Sequence, residues 1–230
     1  MPAETEASAM PAFRIAVLAS GGGTNLQAII DKLHHKQTEG VPPIEVALVV
    51  SDVPGARALK RARTAGIPTM VCPAGRYGNR SEHDRAMASA LLEAGVDLVV
   101  LAGYMRLVSP EFVAVFPRRI INLHPALLPC FPGTTSISDA VRYGVKVTGV
   151  TVHYVDEGLD TGPIIAQEPV RVEEGDTPET LAERIHAVEH ELLPATIRLI
   201  AAGRVSRPLP GMRVVQVDWD RGMDNSDGTG

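Results

Sequence analysis

The chain has 230 residues, a formal net charge of −5, 45% hydrophobic residues and only 4% aromatic residues. This composition is typical of one globular domain of generous size, and it excludes a collagen-like, coiled-coil or mostly disordered chain. The presence of only 2 cysteines excludes a disulfide-rich secreted fold, and the mild acidity argues against a nucleic-acid binder held by a basic face.

The two ends of the chain differ from its middle. Residues 1–12 are small and polar, without the basic stretch and apolar core of a secretory signal, and residues 219–230 are rich in Asp and Gly. We therefore expect a disordered N-terminal tail, one domain over 13–218 and a flexible C-terminal tail. Since no apolar run is long enough to span a membrane, we expect a cytoplasmic protein with no membrane partner.

Apolar runs and amphipathic helical patterns alternate through the first two thirds of the chain. The runs predict buried strands at 13–19, 44–50, 68–72, 97–103 and 119–123. Helical patterns lie between them at 26–33, 54–65 and 81–94, and the third is predicted to begin with a capping box of Ser81 and Asp84. This alternation predicts an α/β fold, an open and mostly parallel sheet with helices on both faces.

The pattern changes after residue 145. Two strand-like runs, 147–155 and 163–172, follow each other closely and predict an antiparallel C-terminal addition to the sheet. Thr177 and Pro178 then predict the N-cap and first turn of a long helix.

A glycine-rich turn, residues 20–25, joins the first predicted strand to the first predicted helix. Backbone amides at such a helix start attract a phosphate. A Walker A loop is disfavoured because no lysine follows before Lys32, and a dinucleotide fingerprint would need glycine in place of Leu26. The alternative is a turn whose glycines serve only tight helix–strand packing.

A second motif lies at the end of the fifth predicted strand. Asn122 and His124 are two residues apart, so they project from the same face of the strand. A carboxamide donor beside an imidazole suits the oxyanion that develops during acyl transfer. The alternative for His124 is a structural histidine. An acidic loop at 156–160 could bring a carboxylate to it, but the pattern alone does not place one there.

One further motif suggests a metal. His186, Glu189 and His190 match the H-x-x-E-H pattern of a class of zinc hydrolases. Few residues that could supply the missing carboxylate ligand follow this motif, so the zinc hydrolase is a distant alternative.

Taken in order, these segments resemble the glycinamide ribonucleotide formyltransferase family, the folate-dependent transformylases of purine synthesis. The resemblance runs over about residues 13–205 and rests on five segments: LASGGGTNLQAII (18–30), LAGYMRLVSPEF (101–112), INLHPALLPCFPG (121–133), VTGVTVHYVDEGLDTGPIIAQ (147–167) and ERIHAVEHELLP (183–194). It implies transfer of the formyl group of 10-formyltetrahydrofolate to the amino group of glycinamide ribonucleotide, with no metal required.

The resemblance also implies roles for individual residues. His124 would be the catalytic imidazole, Asn122 would polarise the formyl oxygen, and Asp160 would assist proton movement. The substrate-binding residues would hold the phosphate (Gly23, Thr24 and Asn25) and the glycinamide and ribose end (His186 and Glu189). The folate would contact Arg80, Met105, Arg106, Leu107, Val108, Asn122, Asp156 and Asp160.

The chain differs from this family at two places, and two related families of enzymes are alternatives. Thr134 to Ser138 stand where relatives often carry a histidine, and Tyr104 is often Phe. Methionyl-tRNA formyltransferases carry an added, usually basic C-terminal domain, and formyltetrahydrofolate hydrolases carry an added N-terminal domain. We expect neither here, and we expect small-molecule substrates, no nucleic acid, and a monomer or homodimer.

Overall fold

A computed structural model describes residues 10–206 and 213–219. Its seven-stranded sheet has the strand order β3-β2-β1-β4-β5-β6-β7. The strands are β1 (Phe13–Leu18), β2 (Ile44–Ser51), β3 (Thr69–Val71), β4 (Leu98–Leu101), β5 (Ile120–His124), β6 (Val147–Tyr154) and β7 (Ile164–Arg171). β1 to β5 pair in parallel, whereas β6 and β7 pair antiparallel to their neighbours. The predicted parallel sheet with an antiparallel C-terminal addition is confirmed.

Helices cover both faces of this sheet. They are α1 (Thr24–Lys32), α2 (Arg57–Thr64), α3 (Arg80–Glu93), α4 (Pro110–Val115), α5 (Ser136–Tyr143) and α6 (Pro178–Ala201), with a short 3-10 turn at Ala74–Arg76. Buried side chains of α1, α2 and α6 pack on one face of the sheet, and those of α3 and α4 pack on the other. Successive side chains of each parallel strand point alternately into the two apolar layers. Because both layers are buried, the parallel strands are apolar throughout.

The structure corrects the predicted start of the third helix. Asn79, not Ser81, is its N-cap, and its side chain accepts a hydrogen bond from the Glu82 amide. Asp84 is buried and accepts a hydrogen bond from the Ser109 amide instead. The capping box at Thr177 is confirmed, with Thr180 as its partner.

Several boundaries also differ. The second helix begins at Arg57 rather than 54, and the sequence patterns gave no prediction of α4, which has only 6 residues. Most of the two predicted tails, residues 1–9 and 220–230, lies outside the described residues. Within the described ranges, no helix is both long and apolar enough to cross a membrane.

Candidate active site

The pair Asn122 and His124 lies at the carboxyl end of β5, where open α/β sheets bind ligands. Both side chains project to the face of the sheet that α3 and α4 cover, because Ile120, two residues earlier, packs in that apolar layer. His124 is buried, and its Nε2 atom lies 2.8 Å from the Phe131 carbonyl oxygen. A carbonyl oxygen only accepts, so Nε2 carries a proton and Nδ1 is the nitrogen left for chemistry.

Asp160 reaches this pair from the loop between β6 and β7. Its Oδ2 atom lies 3.4 Å from His124 Nδ1 and accepts a hydrogen bond of 2.8 Å from the Gly133 amide. Its Oδ1 atom lies 3.3 Å from Asn122 Nδ2. Asp160 has a φ of 53°, a left-handed conformation that is uncommon for a residue other than glycine. The loop therefore holds Asp160 in a strained backbone conformation that directs its carboxylate towards His124.

Burial and charge set the protonation of the two groups. Burial lowers the pKa of His124 below its ordinary value, and the charge of Asp160 opposes this effect without cancelling it. Burial alone would raise the pKa of Asp160, but the His153 ring, the Gly133 amide and the charge of His124 together lower it to about 2. At neutral pH the site therefore holds a neutral imidazole beside an ionised carboxylate.

His153 belongs to the same cluster, although it was not among the site residues predicted from the sequence. It pairs with Asn122 across the antiparallel strands β5 and β6, so both side chains lie on one face. His153 Nδ1 lies 2.9 Å from the Tyr154 carbonyl oxygen, which leaves Nε2 to accept from Asn122 Nδ2 at 3.2 Å. This contact orients the Asn122 amide. In the sequence, the only indication of this contact was the alternation of side chains along β6, which sets the face on which His153 lies.

A cavity of about 490 Å³ opens beside the cluster. It is lined by all eight residues that were predicted to contact the folate: Arg80, Met105, Arg106, Leu107, Val108, Asn122, Asp156 and Asp160. His124 and His153 also line it. The catalytic candidates thus face a space large enough for a small organic ligand.

The glycine turn forms a second group of predicted residues, none of which lines that cavity. Gly23 is the N-cap of α1 with a φ of 69°, and a Cβ atom there would lie 2.7 Å from the Ala58 Cα atom. Asn25, on the first turn of α1, donates a hydrogen bond of 2.9 Å to Glu189 of α6. The packing of α2 against the turn explains why residue 23 is a glycine. The contact between α1 and α6 explains the position of the Asn25 side chain.

Glu189 is buried, and burial raises its pKa, while the hydrogen bond from Asn25 and the charge of His186 oppose the rise. His186 lies one turn earlier on the same helix and is exposed. Thr24 is exposed as well. The structure therefore brings Gly23, Thr24, Asn25, His186 and Glu189 to one region where α1 and α6 meet.

A family model described as "Formyl transferase" matches residues 13–197. This match covers most of the chain. The chain belongs to the formyl transferase family.

Individual relatives agree with this family. The formyl transferase described here is 43% identical over 185 residues to phosphoribosylglycinamide formyltransferase of Bacillus subtilis strain 168, an alignment that covers 80% of this chain and 93% of that protein. A protein of the same name from Mycobacterium tuberculosis is 44% identical over 193 residues, covering 84% and 87% of the two chains. The crystal structure of glycinamide ribonucleotide transformylase 1 from Symbiobacterium toebii superposes with a TM-score of 0.83 at 49% identity, covering 89% of this chain and 93% of that chain.

The structure gives the H-x-x-E-H motif of this formyl transferase another use. Glu189 is bonded to Asn25 rather than held beside two imidazoles as a shared ligand set. Among the residues that the structure describes, no three His, Cys, Asp or Glu side chains lie close enough together to hold a metal ion. The motif is therefore explained by the contact of α6 with α1.

Proposed function

We propose that this chain transfers the formyl group of 10-formyltetrahydrofolate to the amino group of glycinamide ribonucleotide in purine synthesis, as a phosphoribosylglycinamide formyltransferase. The observation that carries the proposal is the partly buried cluster of Asn122, His124 and Asp160 at the wall of the cavity. A carboxamide donor, a neutral imidazole and an ionised carboxylate are the groups that acyl transfer to an amine requires.

His124 would move the proton. The amino nitrogen of the ribonucleotide attacks the formyl carbon, a C–N bond forms, and Nδ1 of the neutral imidazole takes the proton that the nitrogen loses. The bond from the formyl carbon to N10 of the folate then breaks, and Nδ1 returns the proton to N10. The hydrogen bond from Nε2 to the Phe131 carbonyl fixes the tautomer that this step needs. No covalent enzyme intermediate forms.

Asn122 and Asp160 would stabilise the charges that develop. The formyl oxygen becomes negative in the tetrahedral intermediate. The Asn122 amide would donate to it the N–H that otherwise donates to Asp160, while the other N–H is held by His153. With a pKa of about 2, the Asp160 carboxylate is a poor final acceptor of the proton. We therefore assign it the stabilisation of the His124 imidazolium, which develops 3.4 Å away.

The two regions of predicted residues would divide the ligands. The folate co-substrate would occupy the cavity between Arg80, the 105–108 segment and Asp156. The amides that begin α1, at Gly23, Thr24 and Asn25, would hold the phosphate of the ribonucleotide, with His186 and Glu189 at its glycinamide and ribose end. We further propose that the enzyme needs no metal and no nucleic acid, lies in the cytoplasm and works as a monomer or homodimer on small molecules.

The test is a spectrophotometric assay of 10-formyltetrahydrofolate, run with and without glycinamide ribonucleotide. Loss of the formyl group only when the ribonucleotide is present supports the transferase. Loss without it would instead identify a hydrolase, and no loss in either case would refute the proposal. His124→Ala should abolish turnover in a folded protein. His35→Asn is the matched control, because His35 is exposed and has a φ of 55° that asparagine tolerates.

A further inference from the structure

One wall of the cavity is a segment without regular structure, residues 103–109, between β4 and α4. It carries four of the proposed folate contacts, yet Met105 is 63% exposed and Leu107 is 55% exposed. Of its apolar side chains only Tyr104 and Val108 pack in part against the core, so burial alone does not hold this segment in place. Its conformation depends on how its two ends are fixed.

The N-terminal end is fixed by the turn after β1. The Met105 amide donates a hydrogen bond of 2.9 Å to the Ser20 hydroxyl, which in turn donates one of 2.6 Å to the Asp52 carboxylate. The Ser20 amide also donates to the Gly103 carbonyl oxygen at 3.0 Å. This end is thus tied to the sheet through β1 and β2.

The C-terminal end is fixed by Asp84 of α3. Its Oδ2 atom accepts a hydrogen bond of 2.6 Å from the Ser109 amide, and both residues are buried. The Arg80 guanidinium lies 3.9 Å from the same oxygen and donates to the Val108 carbonyl oxygen. One carboxylate therefore sets the position of the last residues of the segment.

Asp84 is itself held by His83, which is 2% exposed. His83 Nδ1 lies 2.8 Å from Asp84 Oδ1, and Nε2 lies 2.9 Å from the Cys72 carbonyl oxygen at the end of β3. Both ring nitrogens of His83 therefore have a partner, and one of them holds the Asp84 carboxyl group from the side opposite to Ser109.

We propose that Asp84, held in place by His83, is a positioning residue for the formyl donor. It anchors the C-terminal end of the 103–109 segment, so that this wall of the cavity is formed before the folate binds. Asp84 does not line the cavity and touches no reacting group. The inference rests on the proposed function, since it assumes that the cavity takes the folate.

The test is titration calorimetry with tetrahydrofolate, the deformylated form of the proposed donor, together with steady-state KM values for both substrates. Asp84→Ala should weaken tetrahydrofolate binding by at least about tenfold, the effect of losing a hydrogen bond to a charged group. It should leave the KM for glycinamide ribonucleotide within about twofold, because Asp84 holds the Ser109 end of the segment and not the end that is tied to the Ser20 turn. Asp84→Asn should stay within about threefold of the wild type, since its amide oxygen still accepts from Ser109 and its amide nitrogen can donate to a neutral His83.

The matched control is Asp176→Ala. Asp176 is also a buried carboxylate paired with a cation, Arg184, but none of its partners lines the cavity. This variant should lose stability without changing tetrahydrofolate affinity. A folded Asp84→Ala protein that binds tetrahydrofolate within twofold of the wild type would overturn the proposal, and so would an equal loss for both substrates.

A second pair of variants covers the case in which Asp84→Ala does not fold. Ser109→Pro removes the amide hydrogen that Asp84 accepts, at a φ of −75° that proline adopts, whereas Ser109→Ala keeps that hydrogen and removes only the cap of α4. Only the proline variant should lose tetrahydrofolate affinity. If the two variants bind tetrahydrofolate with the same affinity, the Ser109 amide is not the anchor of the segment and the proposal fails. Absence of tetrahydrofolate binding by the wild type would instead refute the proposed function.

Discussion

Replacing Asp160 by asparagine removes one negative charge from the site and keeps the shape of the side chain. The asparagine oxygen can still accept from the Gly133 amide, while its amide nitrogen takes the place of the oxygen that accepts from Asn122. The Asp160 and His124 side chains are 10% and 4% exposed, so solvent screens little of their interaction. A change in the pKa of His124 in this variant therefore reports mainly the lost carboxylate charge.

The size of the effect follows from the distance. At 3.4 Å the carboxylate and a protonated His124 attract each other, by about 5 kcal/mol as an upper limit with an effective dielectric constant near 20. Burial already lowers the pKa of His124, and Asp160 is the main group that opposes it. Asp160→Asn should therefore lower that pKa further.

The assay is NMR titration of histidine labelled at the ring carbons, combined with the pH dependence of turnover. The limb of the pH profile that belongs to His124 should move to lower pH, and turnover should fall by about 10²- to 10⁴-fold. Asp139→Asn, which removes a surface carboxylate paired with Arg142, is the control for net charge. An unchanged or raised pKa of His124 in the asparagine variant would refute the reasoning.

Three further predictions concern other parts of the molecule. Asn122→Ala should lower turnover by about 10²- to 10³-fold in steady-state assays, with both KM values little changed, because it removes a donor to the oxyanion; an altered KM alone would contradict this. Glu189→Ala should raise the KM for glycinamide ribonucleotide but not for the folate, since its buried carboxylate anchors α1; equal changes would reject the assignment. Gly162→Ala should lower the free energy of unfolding by about 1–3 kcal/mol, because its Cβ atom would overlap the Tyr154 carbonyl oxygen. Urea unfolding measures this loss of stability. Gly75→Ala is the control, because a Cβ atom at that position would have no atom of a non-neighbouring residue within 4 Å, and it should have no such effect.

Local patterns in the sequence were sufficient for most of the sheet. An apolar run that is buried on both faces needs no knowledge of its neighbours to be read as a parallel strand, so all five parallel strands were placed within a few residues. Asn122 and His124 could be paired for the same reason, because the alternation of side chains along a strand is a local property. Neither α4 nor α5 was predicted, and α4 has only 6 residues, too short for a helical period to stand out.

The rest of the candidate site depends on contacts between distant parts of the chain. Asn25 and Glu189 are separated by 164 positions, and only the packing of α1 on α6 joins them. His153 meets Asn122 through the register of antiparallel strands, and Asp160 meets His124 through a loop with a left-handed residue. The sequence by itself determined which elements form and which strand end carries the imidazole, because those choices follow from local periodicity. Only the tertiary structure decided which carboxylate and which amide surround that imidazole, because burial and distance in the folded chain set both their contacts and their charges.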